Sequence, residues 1–273
     1  MTAASPITRP LLRWAGSKRQ HLGHILRRRP EAFNRYVEPF AGSASLFWAL
    51  RPEAAVLSDL NEDLISCYEQ VRDRPTEVYD EYAGLENEEP VYYQIRSQIV
   101  EETCPLRKAA FFLYLNRFCF NGLYRTNRQG RFNVPYGGKR TGSLPSLDVL
   151  KKYSEALSGV TLCKDDFEVV LTREVAKGDF VYLDPPFFTT STRVFKEYTH
   201  KPFSKDDLDR LHRVLELIND REAMFIASYM DERDSEWSSH WSKHEIQVLR
   251  RMSGFRAGRR LAQEVLISNF EGC

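Results

Sequence analysis

Phe180-Val181-Tyr182-Leu183-Asp184-Pro185-Pro186-Phe187 joins an apolar run to an acid and two prolines. Its first residues form a short, mostly apolar run, the pattern of a strand buried on both faces of a parallel sheet. The strand runs straight into a carboxylate and two prolines. Each proline fixes φ near −65° and carries no N–H, so the Pro-Pro step holds its carbonyls in a set direction. In open α/β sheets, ligands bind just past the carboxyl ends of the strands, and Asp184 stands there. A carboxylate, the Pro185 carbonyl and the Phe187 ring suit a planar group bearing an amine: two acceptors for its hydrogens and a face to stack on. A nucleobase with an exocyclic amine is such a group. A plain strand ending in a proline-rich turn capped by an aspartate uses the same residues, so the rest of the chain must separate the two readings.

With 273 residues, 42% hydrophobic and 28% charged, the chain is an ordinary globular sequence, long enough for one large domain or a domain with an insert. No apolar run approaches the ~18–20 residues of a membrane-spanning helix. Met1–Pro10 has no apolar core of a secretory signal, so none is expected. The five cysteines, Cys67, Cys104, Cys119, Cys163 and Cys273, are widely spaced with no Cys-x-x-Cys. That spacing argues against a zinc site and against a disulfide framework, and a reducing, cytoplasmic setting without a bound metal is expected.

The net charge of +1 hides an uneven distribution. Met1–Pro30 contains no Asp or Glu but carries Arg9, Arg13, Lys18, Arg19, Arg27, Arg28 and Arg29. Pro105–Leu147 again lacks acids and carries Arg107, Lys108, Arg117, Arg125, Arg128, Arg131, Lys139 and Arg140. The acids gather elsewhere, as in Glu77–Glu89. Such polarity is the electrostatic footprint of a phosphate-backbone partner.

Outward from the Asp184 strand, the earlier chain supplies matching pieces. Leu11–Lys18 reads as an apolar start and a small-residue turn, with Trp14 as a stacking face and Lys18 as a cation near a helix start; a plain turn with Trp14 in the core fits it too. Tyr36-Val37-Glu38-Pro39-Phe40-Ala41-Gly42-Ser43-Ala44-Ser45 reads as strand, tight turn and helix, where small residues let the backbone approach a ligand. It lacks the full Gly-x-Gly-x-x-Gly pattern. Ala55–Asn61 follows as a second strand ending at Asp59, which is placed either to accept from a ribose diol or to cap the helix from Glu62. Glu62–Glu102 is helical in period, and Leu106–Leu115 is apolar enough for a buried helix. Asn116–Gly138 then interleaves Arg, Asn and aromatic residues, with turn signals at Asn121-Gly122 and Gln129-Gly130. This composition predicts a loop and hairpin that contact nucleic acid.

A helix over Ser146–Leu157 leads to a strand at Val160–Cys163 and then Asp165-Asp166-Phe167. After the central strand, polar Thr189–Thr199 suggests a mobile loop over the site. Ser204–Asp207 has the form of a capping box, and Leu208, Leu211, Leu215 and Ile218 share one helical face. Ala223–Ala227 is a further buried strand, and Gln247-Val248 with Glu264–Asn269 predicts a terminal antiparallel pair flanking a third basic cluster, Arg250, Arg251, Arg256, Arg259 and Arg260. Strands alternating with helices predict an α/β sheet.

In this order, Trp14-Ala-Gly-x-Lys18, Val37-Glu-Pro-Phe-x-Gly42, the Asp59 strand, the Asn116–Gly138 block, Asp166-Phe167 and Asp184-Pro-Pro-Phe187, the chain resembles the Dam-like DNA adenine methyltransferases across nearly its whole length. The resemblance implies a Rossmann-like S-adenosylmethionine-dependent methyltransferase sheet, residues 1–66 and 147–273, with an inserted, mainly helical target-recognition domain at 67–146 that carries a β-hairpin. It implies methyl transfer to the exocyclic amine of an adenine flipped out of duplex DNA. GATC or a related short palindrome is the expected site. Trp14, Lys18, Phe40, Gly42, Asp59, Asp166, Phe167 and Asp184 match cofactor positions. Asp184, Pro185 and Phe187 match the catalytic motif. Phe120 matches an aromatic inserted into DNA, and Leu123, Arg125 and Pro135 match base-reading positions. Asn127 and Asn133 match phosphate contacts, and Arg13, Arg117 and Asn121 complete the expected DNA-binding set. Such enzymes work in the cytoplasm of prokaryotes or for phages and viruses, in some cases beside a cognate restriction endonuclease with which they form no stable complex. The chain departs from the family pattern at Phe187, usually Tyr, at Ala44, usually Gly, and at Arg13, where Lys is common. Transfer to N4 of cytosine, or DNA binding on a catalytically impaired scaffold, are the alternatives.

Overall fold

The computed structural model describes residues 9–127, 129–186, 203–229, 241–251 and 259–271, with side chains throughout except at Gln20, 247–251 and 259–263. The apolar runs become the strands of one seven-stranded sheet: β1 Tyr36–Glu38, β2 Ala55–Ser58, β3 Val160–Cys163, β4 Phe180–Leu183, β5 Met224–Tyr229, β6 Ser242–Arg251 and β7 Arg259–Ser268. Their spatial order is β3-β2-β1-β4-β5-β7-β6. Strands β1 to β5 are parallel, whereas β7 runs antiparallel to β5 and β6 antiparallel to β7. This is the expected α/β sheet, with the expected antiparallel pair at one end.

Register sorts the side chains. Val56, Val37, Val181 and Phe225 are aligned across β2-β1-β4-β5 and face one helical layer. Their neighbours Ala55, Tyr36 and Phe180 form the next row and face the other. The first layer holds α8 Phe167–Glu174 and α9 Lys205–Asp220. On α9, Leu211, Val214, Leu215 and Ile218 are buried, and fully burying a side chain of this kind contributes roughly 1.5–3 kcal/mol. The capping box at its start is formed: the Ser204 hydroxyl accepts from the Asp207 N–H, and the Asp207 carboxylate accepts from the Ser204 N–H.

The opposite layer holds α1 Leu22–Leu26, α2 Ser45–Leu50, α3 Glu62–Asp73, α4 Pro75–Tyr82, α5 Glu89–Gln98, α6 Pro105–Phe118 and α7 Leu147–Leu157. Helix α6 is buried around most of its circumference, by Ala109, Ala110, Phe111, Phe112, Leu113, Tyr114 and Leu115 among others, as a core helix should be. One apolar cluster runs without a break from the sheet side chains Leu57, Tyr182 and Ile226 through α3 and α6 to Tyr92 and Leu150.

Two elements differ from expectation. Helix α8 has no strong sequence signal, because it is short and only Phe167, Val170 and Leu171 on it are buried while Val169 is exposed. The hairpin expected after α6 is held by two isolated antiparallel bridges, Cys119 with Tyr136 and Thr126 with Phe132, rather than by a strand ladder. Asn127 closes its tip through its own side chain, whose oxygen accepts from the N–H groups of Gln129 and Arg131, an Asx-turn geometry.

Candidate active site

Strand order reverses beside β1, whose neighbours β2 and β4 lead the chain to opposite sides. A crevice at the carboxyl edge is the outcome of such a reversal. The loops that leave β1, β2 and β4 meet there. Asp59, just past β2, accepts from the Gly42 N–H at 2.9 Å through one oxygen and from the Asn61 N–H at 2.9 Å through the other. The cap of α3 is Asn61, whose side chain accepts from the Leu64 N–H at 3.0 Å, so the capping role weighed for Asp59 falls to its neighbour. Burial pushes the Asp59 carboxyl up, and the two N–H donors pull it back.

The cofactor-type loop is tight. Gly42 has φ of +45°, and a Cβ there would lie 2.7 Å from Trp14 Cδ1. The Tyr68 hydroxyl donates to the Gly42 carbonyl at 2.9 Å. Ala44, where the resemblance leads one to expect glycine, has φ of +50°. A non-glycine residue in this left-handed region costs roughly 1–2 kcal/mol, so the loop keeps the shape glycine would favour at some expense. Trp14 stacks on Tyr124 of the hairpin at 5.1 Å and 22°. The first motif therefore touches the cofactor-type loop and the basic hairpin at once.

Across the crevice, Phe40 and Phe167 lie 5.2 Å apart, joined by Phe203. Asp166 caps α8 by accepting from the Glu168 N–H at 3.0 Å. Arg210 of α9 pairs with Asp166, Glu168 and Asp207 and covers the Phe167 ring at 4.7 Å.

At the end of β4, the Asp184 side chain is one-fifth exposed, and its Oδ1 lies 3.2 Å from Lys18 Nζ. Burial pushes its carboxyl up to about 6, against the pull of the Lys18 ammonium. Lys18 follows Ser17 in the short turn that opens before α1, and its Nζ also lies 3.0 Å from Glu264 Oε2. His21 Nδ1 is 3.4 Å from the same oxygen. Glu38 ends β1, is buried, and accepts from the Tyr36 hydroxyl at 2.9 Å; burial pushes its carboxyl well up. Glu38, Glu264, His21, Arg210 and Tyr124 were not among the expected site residues. The sequence carries one signal for Glu264, an acid inside the apolar run that follows it, since unpaired acids are rarely buried.

The expected DNA-binding residues divide. Phe120 is 46% exposed, next to Asn121 in a left-handed turn, and its N–H donates to the carbonyl of exposed Pro135. Leu123 is half-buried. Arg125 Nε donates to Asn133 Oδ1 at 2.8 Å, so these two share one contact on the hairpin. Arg13 is a strut: its guanidinium donates to the carbonyls of Arg117 and Thr141, and its backbone exchanges hydrogen bonds with the Asn116 side chain. Arg117 is half-buried, and burial with nearby Arg13 lowers its pKa. Phe187, the Thr189–Thr199 segment and Arg256 lie outside the described residues, as do the side chains of the other arginines in the third basic cluster. No helix among the described residues is long and apolar enough to cross a membrane.

Known proteins share much of this sequence. The family model of the D12 class N6 adenine-specific DNA methyltransferases matches residues 14–252. A Type II methyltransferase of Lactococcus lactis subsp. cremoris, M1.LlaDCHI, is 32% identical over 272 residues, 96% of this chain and 95% of the relative. M.MjaIII, a Type II methyltransferase of Methanocaldococcus jannaschii, is 35% identical over 81% of this chain and 83% of its own length. The DNA adenine methylase of Escherichia coli K12 is 31% identical, covering 94% of both chains. The match spans the loops around Asp59 and Asp184 as well as the basic hairpin between them, and with it the chain is shown to belong to the D12 class of N6 adenine-specific DNA methyltransferases.

Proposed function

We propose that the chain methylates N6 of an adenine rotated out of duplex DNA, with GATC as the leading target and S-adenosylmethionine as donor. The crevice fits that donor in three respects. The Gly42 position admits no side chain, Asp59 presents a carboxylate where a ribose diol is usually received, and the Phe40–Phe167 pair offers apolar faces beside Asp166. Trp14 and Lys18 complete the contacts. When bound, S-adenosylmethionine supplies a methyl group activated by a sulfonium charge.

The remaining chemistry belongs to the protein. The amine of adenine is a weak nucleophile because its lone pair is conjugated with the ring. The Asp184 carboxylate and the Pro185 carbonyl accept hydrogen bonds from its two N–H groups, localise the lone pair and fix its direction, which is electrostatic preorganisation combined with positioning. The one proton the amine sheds on methylation leaves along its hydrogen bond to Asp184. Phe187 stacks on the flipped base and keeps the face that a tyrosine would supply. Flipping costs a few kcal/mol, which Phe120 offsets by filling the space left in the duplex. Residues 67–146 carry target recognition, with Leu123, Arg125 and Pro135 reading bases, and Asn121, Asn127 and Asn133 on phosphates. A restriction endonuclease with the same site, in a prokaryotic cytoplasm, is the functional partner that the Type II relatives suggest.

The observation that carries this reading is the Asp184 carboxylate at the carboxyl end of β4, one-fifth exposed and 3.2 Å from Lys18 Nζ. Asp184→Ala is expected to abolish methyl transfer while duplex affinity, read by fluorescence anisotropy, stays within about threefold of wild type. Turnover near the wild-type rate in that variant would refute the assignment.

A further inference from the structure

We propose that Glu264 is a positioning residue for the methyl transfer: it holds Lys18 as a cation shared between two carboxylates, and so leaves Asp184 a strong acceptor for the substrate amine. The inference rests on Asp184 being the acceptor described above.

The topology brings Glu264 to the site. The parallel strands end at the carboxyl edge of the sheet, and antiparallel β7 runs inward from that same edge. Val265 pairs with Tyr229, the last residue of β5, and Ala227 of β5 pairs with Leu183, the last residue of β4. Glu264, one residue before Val265, thus arrives beside the end of β4. Its side chain is 2% exposed and that of Lys18 is 4% exposed. The ammonium lies 3.0 Å from Glu264 Oε2 and 3.2 Å from Asp184 Oδ1, and His21 Nδ1 approaches the same Glu264 oxygen at 3.4 Å.

A buried acid is expensive unless paired, and one ammonium here serves two. Had Asp184 Lys18 to itself, the full positive charge would compete with the adenine amine for the same carboxylate. Glu264 draws the ammonium toward β7 and adds a second negative charge, and both effects strengthen Asp184 as an acceptor. The same charge helps to push the Asp184 carboxyl up. Among the described residues, the groups that face Asp184 and enter this balance are Lys18, Glu264 and His21, with Glu38 and the Tyr36 and Tyr182 hydroxyls near them.

The test is kcat against pH, with labelled S-adenosylmethionine and a saturating duplex, for wild type, Glu264→Gln and Glu264→Asp. In Glu264→Gln the acidic limb of the profile is expected to move to lower pH by about one pH unit, with kcat at neutral pH down roughly tenfold and KM for the duplex unchanged. Glu264→Asp restores the charge and is expected to keep the wild-type limb while losing several-fold in kcat. A folded Glu264→Gln chain whose limb does not move would overturn the inference. If Glu264→Gln does not fold, Glu264→Asp decides alone, and unchanged kcat in it overturns the inference. A wild-type chain that labels no adenine overturns the underlying reading, and this inference with it.

Discussion

A carboxylate that accepts hydrogens from an amine has to be ionised, and burial works against ionisation. Asp184 resolves this in part through Lys18, yet its carboxyl still stands at about 6 in the folded chain, against 3.8 for an ordinary aspartate. Between those two pH values the folded chain holds more proton than the unfolded one, so stability falls as pH rises through that window. At pH 8 the full cost of the buried charge is present, of order 2–3 kcal/mol. Asp184→Asn removes that charge, and its melting temperature at pH 8 is expected to exceed that of wild type by a few degrees, with methylation lost. An equal or lower melting temperature would mean that the Lys18 pair outweighs burial. Activity follows the opposite sign: kcat of the wild type is expected to drop as pH falls below about 6, where Asp184 takes up a proton. At Gly42, a methyl group meets the Trp14 ring at 2.7 Å on a left-handed backbone. Gly42→Ala should therefore cost roughly 1–3 kcal/mol of stability and weaken S-adenosylmethionine binding in calorimetry; full affinity would show that the loop yields freely.

At the scale of elements, the hairpin after α6 has few backbone bonds of its own and depends on side chains. Arg125 is aimed by Asn133, and the tip is closed by Asn127. Asn133→Ala is expected to free Arg125 and to reduce discrimination between a GATC duplex and a singly altered one by about 1–3 kcal/mol, the worth of one well-placed base contact. Affinity for non-specific DNA should fall as well, by the smaller share that the Asn133 phosphate contact supplies. Unchanged discrimination would remove Arg125 from base reading. Elements of this size are where sequence was most and least informative. The β4 run, the Ser204 capping box and the Glu62 helix were legible because each is a local pattern. The capping role weighed for Asp59 fell away only when Asn61 was seen to cap α3. Arg13, expected on the DNA from the family resemblance, has a structural task that its sequence position does not show: two of its guanidinium N–H groups donate to the carbonyls of Arg117 and Thr141. Glu264 carried only a weak local signal, an acid heading an apolar run, because its partner Lys18 lies 246 positions away.

Over the whole molecule, charge is separated along the sequence, with acid-free segments near the N-terminus and through the hairpin. Binding to duplex DNA should weaken linearly in log affinity against log salt, with a slope near −0.9 for each phosphate neutralised. A flat salt dependence would exclude these segments as the phosphate-binding surface. The sheet and the helices α3 to α7 also share one apolar cluster, and Trp14 joins the Gly42 loop to the hairpin. This assembly is expected to methylate adenine at a defined site through Asp184. The most direct measurement is transfer of label from S-adenosylmethionine to two duplexes, one with a single GATC and one with that site scrambled, followed by nucleoside analysis. Label on N6-methyladenine from the GATC duplex alone, absent with Asp184→Ala, is the predicted result. Label on cytosine, or on adenine with Asp184→Ala still active, would contradict it.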